Sequence, residues 1–278
     1  MKRKKHRTLS TYVYYLAMLA YLVVIAYPLY LMVVTSLKPN AEIFKNPLGP
    51  PQSFYLGNFI TLISRANFNL YFLNSLIVVF VSLFCIIIFS SLAAFILAKH
   101  GFKGSTFLYS FFVAGLIIPI RLGTISILKM MIGFGLHDTL ASVILVSIAT
   151  GIPFGIFILT DFIRMVPDDL MHAARIDGYS EPKIFLRIII PLLLPAIASV
   201  AVVNFIPIWN DFWFPLILLK SQSVRTVPLA TALLFGQFST NYGHVFAMLT
   251  MASVPVVITY LIFSRWFIKG LTEGGLKG

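Results

Sequence analysis

Long runs without charge constrain this chain more than any other feature of its sequence. Six stretches approach or exceed the about 20 mostly apolar residues that an α-helix needs to cross the hydrocarbon core of a bilayer. They predict spans near Tyr12 to Leu37, Leu70 to Ala98, Ser105 to Ile120, Leu140 to Thr160, Ile190 to Asn210 and Val245 to Arg265. The third, confined between Lys103 and Arg121, sits at the lower limit of length. With 59% hydrophobic and 11% charged residues, most of the chain has lipid as its solvent. The expected fold class is an all-α membrane protein of six transmembrane helices.

The net charge of +12 would suggest nucleic acid if the basic residues formed one patch, but they fall in short clusters between the apolar runs. That pattern belongs to membrane topology and excludes a nucleic-acid partner. The opening Lys2-Arg3-Lys4-Lys5-His6-Arg7 precedes an uncharged stretch from Thr8 to Leu37, longer than the about 7 to 15 residues of a cleavable signal, so it reads as an uncleaved first span. With the N-terminus inside, only Lys38, Lys45, Arg65, Arg121, Lys129, Lys220 and Arg225 lie outside, leaving 14 of the 21 Lys and Arg inside. The positive-inside rule then puts both termini in the cytoplasm of a multi-pass plasma-membrane protein.

Pro28, Pro119, Gly151, Pro153, Gly155 and Pro207 interrupt the spans. Each is tolerated where neighbouring helices or a polar cavity satisfy the freed carbonyls, which favours a packed bundle over independent anchors; a purely structural kink is the plainer reading of each. Cys85 is the only cysteine, so an intrachain disulfide is impossible and a thiolate metal site is not expected.

The stretch from Pro167 to Pro191 mixes polar and apolar residues as no span does. Pro167 suits a first helical position, Asp168 and Asp169 put negative charge at the positive end of the helix dipole, and Gly178 suits the left-handed residue past a helix end. Ser180 is placed to cap a second short helix, with Pro182 in its first turn and Ile184, Phe185 and Ile188 on one face. Ala173 and Ala174 would let the first helix sit deep in a groove of another protein while Arg175, Asp177 and Lys183 remain available for charged contacts. Two readings stay open on these residues alone: docking on a partner, or an interfacial helix at the lipid headgroups.

The run His172-Ala173-Ala174, then Gly178, then Ile188, Ile190 and Pro191, resembles the Glu-Ala-Ala motif of the permease subunits of binding-protein-dependent ABC importers, with its spacing intact. The string from Ala174 to Gly178 is similar to the carbohydrate branch. The likeness continues in Ser36-Leu37-Lys38-Pro39, Asn74-Ser75, Trp209-Asn210-Asp211 and the tail from Gly270, and it is closest to the maltose-type permease without a large external domain.

The resemblance implies the type I (MetI-like) permease fold, with spans two to six as the transport core and span one outside it. It divides the chain into residues 1–66, a core of 67–270 containing a coupling loop at 164–190, and a cytoplasmic tail of 271–278. It makes Asp169, His172, Ala173, Ala174, Arg175, Asp177, Gly178 and Pro191 the contacts to an ATPase, toward which the tail also reaches. The implied partners are a homologous second permease, two ABC ATPases that bind ATP and magnesium, and an extracytoplasmic solute-binding protein into which the segment from Gln222 to Tyr242 inserts. The implied cargo is a sugar, an oligosaccharide or a polyol phosphate. His172 departs from the family's Glu; a neutral imidazole cannot make the usual ion pair, so the partner differs or Asp168 or Asp169 substitutes.

Trp209, Asn210, Asp211 and Asn204 are candidates for a translocation path, against the plainer readings of an outer aromatic belt and, for Asn204 and Asn74, of hydrogen bonds between helices. No phosphate-binding loop is present: Gly101-Phe102-Lys103-Gly104-Ser105-Thr106 has the wrong spacing, so no cofactor is expected on this chain and it is not an enzyme. The competing functions are an ion-coupled secondary transporter or channel complete in itself, and a membrane scaffold.

Overall fold

The computed structural model describes residues 9–235 and 240–275, with side chains over 11–235 and 240–262. The basic cluster at 2–7 and the last three residues of the expected tail lie outside the described residues, as do 236–239 of the segment expected to meet a binding protein.

Every regular element among the described residues is helical. Five stretches are long and apolar enough to cross a membrane: Thr11–Ser36, Phe68–Lys99, Leu140–Arg164, Glu181–Trp209 and Tyr242–Ile262. A sixth exists if one bent pair is counted as a single span. That pair is where the third span was expected, and it is not straight. Helix α5 (Ser105–Gly115) ends early, and after a 3-10 turn at Ile120–Gly123 the chain resumes as α6 (Thr124–Gly133), so the pair bends by 83°. Pro119 stands extended (φ −69°, ψ 102°) at the break, where it offers no N–H and biases the residue before it away from helix.

The remaining elements are α1 (Leu9–Ser36), α2 (Asn40–Lys45), α3 (Gly57–Ser64), α4 (Phe68–Lys99), α7 (Leu140–Arg164), α8 (Asp168–Ile176), α9 (Glu181–Ile184), α10 (Ile190–Trp209), α11 (Trp213–Leu218), α12 (Val227–Ala232) and α13 (Tyr242–Gly275). The second short helix expected after Ser180 is not separate from the fifth span. A π turn at Phe185–Ile189 joins α9 to α10, closed by the Ile190 amide bonding the Phe185 carbonyl. Pro191 explains it: lacking an N–H and crowding the carbonyl four residues back, it disturbs the ordinary ladder at that turn.

The chain forms two compact units, one within Met1–Phe68 and Thr231–Ser253, the other within Asn69–Ala230 and Val254–Gly278. In the first, α1 is almost wholly exposed along its apolar length, with Leu16 and Tyr21 standing free, as only lipid or another apolar surface permits. Past its end, the Lys38 side chain is fully buried and its Nζ donates to the carbonyls of Asn46 (2.7 Å) and Gly49 (2.6 Å). Asn58 donates to the carbonyls of Ser36 and Lys38, both at 2.8 Å, so the Ser36–Pro39 string is a corner tied by side chains in place of a helical ladder. Gly243 passes this knot where any Cβ would meet the Asn58 amide at 2.7 Å.

In the second unit, α7 packs on α5, α10 and α11. Its glycines set the distances. A Cβ at Gly151 would collide with Ile86 of α4 and come within 2.7 Å of Asn204 Oδ1 of α10; one at Gly155 would meet Ser90 Oγ at 2.5 Å and Cβ at 2.6 Å. Small residues at such crossings let helix backbones approach where lipid removes the hydrophobic drive between helices. The core behind them holds Ile86, Leu159, Ile163, Leu193, Ala196 and Val200.

At the opposite end of α4, Asn74 Nδ2 donates to the carbonyls of Ser223 and Arg225 (2.9 Å each), and Ser75 Oγ accepts the Val227 amide at 2.9 Å. Asp138 pins the same loop: its carboxylate accepts the amides of Lys220 (2.6 Å) and Ser221 (2.8 Å) and the Ser221 hydroxyl. These bonds hold its pKa down to about 2.

Gly155→Leu should lower the thermal midpoint of the detergent-solubilised protein, as overpacking of about 1–3 kcal/mol requires, while Gly101→Ala, with open space around it, leaves the midpoint unchanged. For Asp138, a carboxyl depressed in the folded state stabilises above its unfolded pKa of about 3.9 and loses that contribution as pH falls through the folded value. The midpoint difference between wild type and Asp138→Asn should therefore be full at pH 5 and shrink toward pH 2.

Candidate functional site

The residues singled out between 167 and 191 form one compact feature. Pro167 is the N-cap of α8, one position earlier than expected, and Asp168 and Asp169 fill its first turn. The helix ends in a double closure: the Gly178 amide bonds the Arg175 carbonyl at 3.0 Å and the Tyr179 amide bonds the Ala174 carbonyl at 2.9 Å, with Gly178 at φ 79°. This glycine-terminated cap lets the chain reverse within two residues into α9.

The inner face of α8 is Met171 and Ala174, 2% and 5% exposed, packed with Ala94, Phe95, Ile163, Ile184, Phe185 and Ile189. The alanine pair therefore splits: Ala174 belongs to the chain's own core and Ala173 to its surface. The outer face presents Asp169, His172, Ala173, Arg175, Asp177 and Gly178, together with Ile176, whose side chain is 86% exposed. An apolar side chain so exposed at the end of a polar helix was not singled out from sequence; its place one helical turn beyond Ala173 was the available signal. Pro191 is exposed on the following helix.

Several charges on and beside this face are paired within the chain. Arg175 Nε donates to Glu181 Oε1 at 2.7 Å, joining the end of α8 to the start of α9, and this raises the Arg175 pKa further. Arg175 Nη1 also lies 3.4 Å from His172 Nδ1. Lys183 Nζ sits 3.8 Å above the Tyr179 ring. Asp168 binds Lys99 Nζ at 2.7 Å and has its pKa lowered mainly by that hydrogen bond and charge. Of the two acids expected to replace the missing glutamate, Asp168 is thus engaged and Asp169 is exposed. Lys99, His100 and Glu181 were not among the sequence candidates: the partners of Lys99 and His100 lie far along the chain, and the Arg175–Glu181 pair, only six residues apart, forms across the Gly178 turn.

The four path candidates part company. Trp209 is 2% exposed, edge-on to Phe72 at 5.8 Å and stacked on Phe205 at 6.0 Å; Asn204 donates to its own helix at Val200 (2.9 Å) beside Gly151. Asn210 is exposed at the end of α10. Asp211 accepts the Trp213 amide at 3.0 Å and so starts α11, and burial pushes its carboxyl up. Beside it Trp213 Nε1 donates to Thr124 Oγ1 at 3.0 Å, with Arg121 over its ring at 5.8 Å.

The chain matches a family model over residues 86–273, a stretch that includes this segment: that of the binding-protein-dependent transport system inner membrane component. The chain belongs to this family.

Among similar members, the arabinooligosaccharides transport system permease protein AraQ of Halalkalibacterium halodurans is 34% identical, with all of both chains covered. The melibiose/raffinose/stachyose import permease protein MelC of Bacillus subtilis is 34% identical over 90% of this chain and 91% of its own. The fold is that of a solved bacterial ABC transporter that imports the acidic polysaccharide alginate: TM-score 0.83, 19% identity, 96% of this chain and 99% of that one. No group of His, Cys, Asp and Glu able to hold a metal ion occurs among the described residues.

Gly178→Ala should cost about 1 kcal/mol through backbone strain alone, since nothing lies within 4 Å of the added carbon. Hydrogen exchange should report faster amide exchange at 174–180, with little change in α7.

Proposed function

We propose that the chain is the permease subunit of an ATP-driven importer that moves a sugar or oligosaccharide across the bacterial plasma membrane by alternating access. Its family is binding-protein-dependent, and AraQ and MelC carry oligosaccharide transport in their names. The observation that carries the reading is the outward face of α8, where Asp169, His172, Ala173, Arg175, Ile176 and Asp177 surround the Gly178 turn. A membrane-resting helix would dip its apolar side into lipid. Here Met171 and Ala174 are spent on the chain's own core, and the exposed side mixes charged residues with two apolar side chains, Leu170 and the projecting Ile176, a mixture that suits a protein groove.

In this reading two ATPase subunits bind ATP and magnesium and receive α8, with Pro191 and its π turn carrying the contact into the fifth span. A homologous second permease completes the pathway and an external binding protein delivers the solute. Both termini are cytoplasmic, residues 67–270 form the permease core, and the C-terminal end of α13 reaches toward the ATPases. An imidazole, His172, stands where the family has an acid, so the facing group on the ATPase differs from the usual basic partner or Asp169 takes the acid's place. On this reading the solute is met by Asn210 and Asp211, near the exit of α10, and Asn204 and Trp209 are left to support the helix by packing.

The test is reconstitution into vesicles with and without the ATPases and the binding protein. Uptake of an oligosaccharide should require all components and ATP. Solute flux through this chain alone would refute the reading in favour of a self-contained carrier.

A further inference from the structure

The end of α4 grips the segment of α8 and α9 at both of its margins. At one margin, Lys99 Nζ donates to the Val166 carbonyl at 2.5 Å and to Asp168 Oδ1 at 2.7 Å, although its partners lie 67 and 69 residues away. The Lys99 side chain is only 5% exposed. A cation at the N-terminus of a helix opposes the helix dipole, so this lysine is not there to stabilise α8 as a helix; the Asp168 carboxylate between them is what makes the contact favourable. At the other margin, Glu181 Oε1 holds Arg175 of α8 at 2.7 Å, and its Oε2 lies 3.5 Å from Nε2 of His100, the residue after α4, a contact longer than an ordinary hydrogen bond.

Between the two margins lies an apolar layer. Phe95 of α4 packs on Phe185 at 5.3 Å and on the His100 ring at 5.2 Å, with Met171, Ala174 and Ile184 buried in the same cluster. The layer buries the inner face of α8 against the spans. The polar links add direction: they fasten the segment to a helix that is neither of the two spans adjoining it in sequence.

We infer that Lys99 and Glu181 are positioning residues that make α4 and the α8–α9 segment move as one body, so that displacement of the segment by a partner reaches the second span directly. The inference rests on the proposed docking of α8 on an ATPase. It predicts a separation of hydrolysis from transport, which loss of loop folding would not produce.

The experiment uses the full transporter in vesicles, with solute uptake and ATP hydrolysis measured in the same sample. In Lys99→Met the stem still packs but the charge is gone. Hydrolysis should persist while solute moved per ATP falls about 2- to 30-fold, the range for breaking one link of a coupling network. Lys99→Arg should restore the ratio, Lys103→Met should leave it unchanged, and Asp168→Asn, which keeps the Lys99 bond to Val166, should lower it in part. Asp168→Asn also serves if Lys99→Met fails to insert. An unchanged ratio in both variants, or hydrolysis and uptake falling together, overturns the inference. So does loss of ATPase co-purification from Lys99→Met alone, which would make Lys99 a prop for docking. If wild-type protein fails to retain ATPases, the docking reading itself falls first.

Discussion

In hydrocarbon, helices gain nothing by hiding apolar surface from one another, and close backbone approach must supply the cohesion instead. The second compact unit depends on this at α7, where Gly151 and Gly155 let Ile86 and Ser90 of α4 and Asn204 and Val200 of α10 come against bare backbone. Ser90 in turn bonds the Ile86 carbonyl of its own helix, and Asn204 that of Val200, so the polar groups drawn into the crossing are satisfied there. The apolar cluster that begins at this crossing continues through Leu159 and Ile163 to Met171 and Ala174 of α8. The segment proposed to meet an ATPase is therefore an extension of the same packed body.

Proline shapes the places where that body departs from straight helices. Pro119 breaks the third apolar run into two helices at 83°, and Pro191 accompanies the π turn through which α9 runs into α10. The first falls between the two halves of the bent pair and the second within the Glu181–Trp209 stretch. Pro153 and Pro195, inside α7 and α10, are accommodated without dividing the helix. The same residue type thus has two outcomes, decided by what surrounds it.

The knots of polar side chains give short sequence strings a physical meaning. Lys38, charged and counted outside the membrane by its position, is buried against two carbonyls and organises the corner after α1. Asn74 and Ser75 reach the loop before α12, and Asp138 holds that loop from the other side. Each replaces missing helical hydrogen bonds at a turn, which gives the Ser36–Pro39 and Asn74–Ser75 strings a structural role.

Periodicity and charge in the sequence were enough to determine the apolar spans, the helical class, the glycine-terminated α8 and the spacing that marks the family, because each depends on residues close together along the chain. Even so, neither the bend after the third apolar run nor the merging of the second short helix into the fifth span was legible in the sequence, since a proline's effect depends on what satisfies the carbonyls it frees. Tertiary structure alone decided that Ala174 faces inward while Ala173 faces out, that Trp209 is a core residue, and that Asp168 is engaged by Lys99. These facts turn on contacts between residues 67 or more positions apart, or on which side of a helix meets a neighbour, and local spacing carries no record of either.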